Sequence, residues 1–260
     1  MDIIENAKRG NPFHDILIID CHCHMGHWHN FHVPYGSAEG MLVSMDTLGF
    51  NIACVTPHSS NGADYRHGND MVISALRRYP DRFVGYVTLN PNYPDDMENE
   101  LKRCFAVPGI KGIKLNYSHH GCAIDYKNYR IAFETANMKK CPILIHTWGE
   151  NDVEAFGRIA GQYPDARFIM AHAGGEMNAM ENAVDVVNKH DNAYVDLALS
   201  IVREGNVEWL VREIGPKKVL FGTDMPFFDP RPAFGRVAFA RISDEEKIEI
   251  FGGNMKRLLT

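Results

Sequence analysis

Short apolar runs rich in β-branched residues recur along the chain, at 16–24, 51–58, 83–91, 109–117, 142–149, 167–175, 193–199 and 219–227. They are nearly continuous rather than alternating, as expected of strands buried on both faces in a parallel sheet. Segments with helical spacing lie between them, for example 68–80, 128–140, 151–164 and 206–216. Several stop at Tyr-Pro or Gly-Pro, where proline cannot continue a helix and the preceding residue is biased away from one. Eight alternating strand–helix units predict an α/β fold, a (β/α)8 TIM-type barrel. A doubly wound sheet would usually carry a glycine-rich phosphate loop after its first strand, and HMGHWHN is nothing like one.

The chain has 260 residues, and barrels of this kind commonly run to about 250 as one domain. No linker, low-complexity tract or repeat interrupts it, so a single domain over 1–260 is expected. A chain of this size buries roughly 70% of its unfolded surface on folding. It needs no metal merely to fold, which lowers the expectation of a purely structural zinc site. The net charge of −6, with no block of like charges, argues against nucleic acid or a membrane surface as partner. The polar N-terminus lacks the apolar run of a signal peptide, and no stretch reaches the roughly eighteen apolar residues of a membrane span. Six cysteines without disulfide-framework spacing read as reduced thiols. A cytoplasmic protein with a small-molecule substrate is the expectation, with a homodimer left open.

Candidate chemistry concentrates in the histidines. Of the thirteen, all but His14 and His190 fall at the C-terminal end of an expected strand or in the loop after it. In an α/β barrel that end carries the active site, because the βα loops converge there. The densest stretch is IIDCHCHMGHWHN, residues 18–30, with four histidines and two cysteines. Side chains alternate along a strand, so Asp20, His22 and His24 are expected on one face. Cys21 and Cys23 are then expected on the other, against the surrounding helices. A lone HxH is a weak signal, since two strand histidines are often polar packing. Later strands add to it. His146 closes ILIH, His172 closes FIMAH and Asp224 closes VLFGTD, each a polar residue ending an apolar run where burial without a partner costs several kcal/mol. Any one of these reads equally as a capping or hydrogen-bonded residue. The set on strands 1, 5, 6 and 8 favours a metal bound by nitrogen and oxygen with an open position, the pattern of a catalytic site. A zinc-knuckle reading of CHCH lacks its other half, a nearby CxxC or HxxxH.

IIDCHCHMG, GIKL, ILIHTWG, MAHAGG, LFGTDMPF and IFGGNMKRLL, as a set, resemble the amidohydrolase superfamily. The similarity is to the amidohydrolase-2 branch, which includes aminocarboxymuconate semialdehyde decarboxylase and resorcylate decarboxylases, and it runs from about residue 16 to the end. It implies a distorted barrel of the metal-dependent hydrolase type with a divalent ion, usually zinc, at its mouth. His22, His24, His146 and Asp224 match the ligands. His172 matches either a catalytic histidine beside one ion or a ligand of a second. Lys114, ending the fourth strand, stands where binuclear relatives carry a carboxylated lysine. One ion is the expectation and two the alternative; a buried structural lysine is a further reading.

With such a metal, Asp224 would orient an activated water and take its proton, and His172 would polarise a carbonyl or protonate the leaving group. Hydrolysis of an amide, lactone or ester is the first expectation, because the chain is compact for a decarboxylase of this branch. Non-oxidative decarboxylation of a small carboxylated aromatic or muconate-like acid is the alternative and uses the same residues. For substrate contacts the candidates are His58, Trp148, His119, His120 and Arg66, each of which reads equally as a solvated loop residue.

Overall fold

The computed structural model describes residues 2–198 and 203–260. Eight parallel strands pair in sequence order: β1 (Ile19–Met25), β2 (Ile52–Pro57), β3 (Phe83–Thr88), β4 (Ile110–Leu115), β5 (Pro142–Ile145), β6 (Arg167–Met170), β7 (Ala193–Asp196) and β8 (Val219–Leu220). The circle closes where the chain after β8 runs beside β1. Cys21 N donates to Phe221 O at 2.9 Å, Asp224 N to His22 O at 2.8 Å and His24 N to Met225 O at 2.8 Å. This is the (β/α)8 barrel the apolar runs predict. Residue 199, the last of the seventh run, lies outside the described residues.

After α1 (Ile3–Lys8), a helix follows each strand: α2 (Ala38–Leu48), α3 (Tyr65–Arg78), α4 (Pro94–Phe105), α5 (Arg130–Lys139), α6 (Glu150–Gln162), α7 (Met177–Lys189), α8 (Asn206–Ile214) and α9 (Pro230–Ala238). Two short helices, α10 (Asp244–Ile248) and α11 (Asn254–Leu259), end the chain. α3, α6 and α8 stop just before Tyr79-Pro80, Tyr163-Pro164 and Gly215-Pro216, as expected from the prolines. No helix among the described residues is long and apolar enough to cross a membrane.

The core has two layers. Ile19, Cys54, Tyr86, Leu144, Ile169 and Leu220 fill the barrel interior, closed below by Met255 and Leu258 of α11. Val55, Val87, Ile113, Ile145, Phe168 and Val195 face the helices. From β2 onward the observed strands stop short of the C-terminal ends of the apolar runs. β6 stops at Met170 because His172 and Ala173 take positive φ (61° and 46°), and the chain after β8 turns at Asp224 with φ 64°. Non-glycine residues in that region are uncommon and cluster at functional sites. Here they sit at two of the candidate residues.

Candidate active site

The first strand does not alternate strictly. Its register against β2 shifts between Asp20 and Cys23, a bulge in the middle of the motif. Cys23 packs on the helix side as expected, but Cys21 lies in the interior layer with Ile19 and Cys54, which corrects the expected placement of both thiols on one face. The extra residue of a bulge breaks the two-residue period. Burial pushes both thiols well above their ordinary range. Asp20 serves the strand rather than the pocket: it accepts from the backbone of His22 and Thr223 and from the Thr223 hydroxyl, all buried. Burial raises its carboxyl to about 7, against those hydrogen bonds.

His22 and His24 bring their Nε2 atoms to 3.3 Å from each other. Asp224 Oδ1 lies 3.0 Å from His24 Nε2 and 3.7 Å from His22 Nε2. The far side of each ring is committed. His22 Nδ1–H donates to Asp196 Oδ2 at 2.8 Å. His24 Nδ1–H donates to Thr56 Oγ1 at 2.8 Å, and that hydroxyl passes its own hydrogen to the Cys23 carbonyl at 3.3 Å. Three acceptor atoms therefore gather at one buried point, neither ring bringing a hydrogen to it and Lys114 Nζ donating to His22 Nε2 from the side. A divalent cation satisfies all three at once, and this donor set is one of the groups able to hold one. Burial holds both imidazoles below their ordinary pKa, so they stay neutral. Burial alone would raise Asp224, but the pull of His24, His22 and His172 around it outweighs burial, leaving a carboxylate well below its ordinary range.

His172 stands beside this point with its ring centroid 5.0 Å from that of His22. Its backbone N–H donates to Asp196 Oδ1 at 2.8 Å and its Nδ1–H to the Ala198 carbonyl at 2.5 Å, which leaves Nε2 to the site. His146, just beyond β5, has Nδ1 3.2 Å from that Nε2 and lies nearly parallel to Trp148. It joins neither group of three ligand atoms found among the described residues, His22, His24 and Asp224 or His22, His172 and Asp196, though it lines the same cavity as Asp224. Lys114 is 1% exposed and its Nζ donates to His22 Nε2 at 2.9 Å. Burial lowers its pKa to about 8.

Above these groups opens a cavity of about 170 Å³ lined by Trp28, His58, His119, Trp148, Phe227 and the amides Asn61 and Asn116, among others. Larger hollows of about 520 and 430 Å³ lie elsewhere, without the convergent lone pairs. Of the expected substrate contacts, His58, Trp148 and His119 line the cavity. His120 does not: both of its ring nitrogens are used, by the Tyr129 hydroxyl at 2.8 Å and the Ser60 carbonyl at 2.9 Å. Arg66 does not either. Its guanidinium is 56% exposed on α3, within 3.8 Å of Asp96 and 3.6 Å of Glu100. Asp196 and Thr56 escaped the sequence reading. Asp196 ends β7 but sits inside the apolar run 193–199, so the criterion that picked out Asp224 passes over it; Thr56 carries no such signal.

Fold and site together define a (β/α)8 barrel with a buried histidine–aspartate cluster able to hold a metal. Residues 19–260 match the model of the amidohydrolase family, and the chain belongs to it, as its motifs suggest. It is 24% identical to gamma-resorcylate decarboxylase of Rhodococcus jostii (strain RHA1) over 243 residues, covering 71% of this chain and 73% of that protein. It is also 24% identical to 2-amino-3-carboxymuconate-6-semialdehyde decarboxylase of Dictyostelium discoideum, over 74% of this chain and 65% of that protein. The solved 2,6-dihydroxybenzoate decarboxylase complexed with 2,6-dihydroxybenzoate shares the fold, with a TM-score of 0.75 at 18% identity, covering 95% of this chain and 99% of that one.

Proposed function

We propose that the chain is a metal-dependent decarboxylase of a small carboxylic acid built on one flat ring or an equally planar unsaturated chain. The cavity carries this reading. Its 170 Å³ is lined by the rings of Trp28, His58, Trp148 and Phe227. A cavity of about 150 Å³ accepts a benzene ring. Hydrolysis, the first expectation from the sequence, gives way to its alternative because both curated relatives named above are decarboxylases.

His22, His24 and Asp224 would hold the ion, with His146 the remaining member of the expected ligand set. Zinc, one per chain, suits imidazole and carboxylate donors. When bound, the ion supplies positive charge that holds the substrate's carboxylate and hydroxyl oxygens. The protein's own work is orientation and proton transfer. The bond from carbon to carboxylate breaks, CO2 leaves, and the electron pair left on carbon takes one proton. His172 delivers it in its doubly protonated form: Nδ1–H stays on the Ala198 carbonyl, the proton on Nε2, the ring atom turned to the site, passes to carbon, and the ring takes a proton back from solvent once CO2 has left. Asp224, held as an anion, stays with the ion and has no proton to give to the carbon.

Metal-loaded protein incubated with 2,6-dihydroxybenzoate and related hydroxybenzoates, in parallel with lactones and amides, tests this. Release of CO2 in step with loss of the acid is expected. Turnover of the lactones or amides with no CO2 from any acid would restore the hydrolase reading.

A further inference from the structure

We propose that Asp196 is the positioning residue that ties the metal locus to the proton-transfer group, using its two carboxylate oxygens for separate tasks. The inference rests on the metal-and-acid reading of the site given above. Asp196 ends β7 fully buried. Oδ2 accepts from His22 Nδ1–H at 2.8 Å, which fixes the ring and its tautomer so that the Nε2 lone pair faces the locus. Oδ1 accepts from the backbone N–H of His172 at 2.8 Å and of Ala198 at 3.1 Å. The first of these pins a residue in the left-handed region (φ 61°, ψ 15°), and the second holds the segment whose carbonyl takes His172 Nδ1–H. Gly222 keeps the arrangement tight. A Cβ there would stand 3.2 Å from His22 Cβ and 3.4 Å from Asp196 Cβ and Cγ. One carboxylate thus sets the direction of a ligand and the backbone of the acid. A carboxylate hydrogen-bonded to a ligating imidazole also raises its basicity toward the metal.

Asp196→Asn separates this role from mere packing, because it keeps the volume. Its oxygen stays with the two backbone N–H groups, so its NH2 faces His22 Nδ1. The imidazole must then accept at Nδ1 and carry its hydrogen on Nε2, toward the metal. Metal affinity of the folded protein, measured by competition with a chromophoric chelator, should fall by about 10- to 100-fold. The turnover number at saturating metal should fall as well, since His172 loses its support. Affinity and turnover both within about threefold of the unmodified protein would overturn the proposal, the loss of an outer-shell partner normally costing more. Should the variant fail to fold, histidine-labelled unmodified protein answers the same question by nitrogen NMR without metal. The Nδ1–H tautomer of His22 is expected, and the Nε2–H tautomer contradicts it. The metal titration and the NMR need no substrate. If the unmodified enzyme never releases CO2, the functional reading fails while these results still decide the role of Asp196.

Discussion

Replacing Lys114 with methionine should tighten metal binding. Its buried Nζ donates to His22 Nε2 at 2.9 Å, the lone pair a metal would take. An incoming ion must displace a charge-assisted hydrogen bond of about 1.5–3 kcal/mol and then meet a cation at close range. At about 4 Å and an effective dielectric of 20, two unit charges repel by about 4 kcal/mol. Giving up the lysine proton avoids that repulsion. Burial has already brought the pKa from 10.5 to about 8, so deprotonation at pH 7 costs only about 1.4 kcal/mol, one unit. Lys114→Met removes that cost, so the variant should bind metal about tenfold more tightly at pH 7. The sign follows from the protonated form being the competitor. The unmodified protein should gain metal affinity as pH rises to about 8 and level off above it, and the gap to the variant should close over the same range. Chelator competition on either side of pH 8 measures both curves. A variant that binds metal less tightly at every pH refutes the reasoning. That result is what a carboxylated lysine bridging two ions would give.

Other substitutions test the walls and supports of the site. Gly175→Ala places a Cβ 2.5 Å from Trp148 Cδ2 at φ 78°. The backbone alone should cost about 1–2 kcal/mol of stability, read by thermal melting, and the displaced indole should raise KM. His120→Phe leaves the Tyr129 hydroxyl and the Ser60 carbonyl without their partner. About 1–3 kcal/mol for each unsatisfied group predicts a clear loss in urea unfolding, without direct loss of a substrate contact. Arg66→Ala should leave KM for the acid within about twofold, an exposed ion pair being worth about 0–1 kcal/mol; a large rise in KM would put Arg66 back at the substrate.

The barrel was legible because eight buried strands impose a local signal: continuous apolar runs, each ended by a turn or a proline. The candidate residues were legible for a related reason. A polar group that closes such a run, as His146, His172 and Asp224 do, has to meet something at the mouth. What local pattern could not carry is pairing between strands. The bulge in β1 exists only relative to β2, so strict alternation put Cys21 on the wrong side. His120 and Arg66 looked like substrate contacts because they follow strands. Their partners, Tyr129, Ser60 and Glu100, come from other parts of the chain. Thr56 is read as the support of His24 only once β1 and β2 lie side by side.

The central claim is that carbon takes a proton where a carboxylate leaves. The most direct measurement is turnover of a carboxyl-labelled hydroxybenzoate in heavy water enriched in oxygen-18, with metal-loaded enzyme. The account predicts labelled CO2 and one deuterium at the vacated ring carbon, with no oxygen-18 added to the organic product. A product that retains the carboxyl label and gains oxygen-18 from solvent would contradict it.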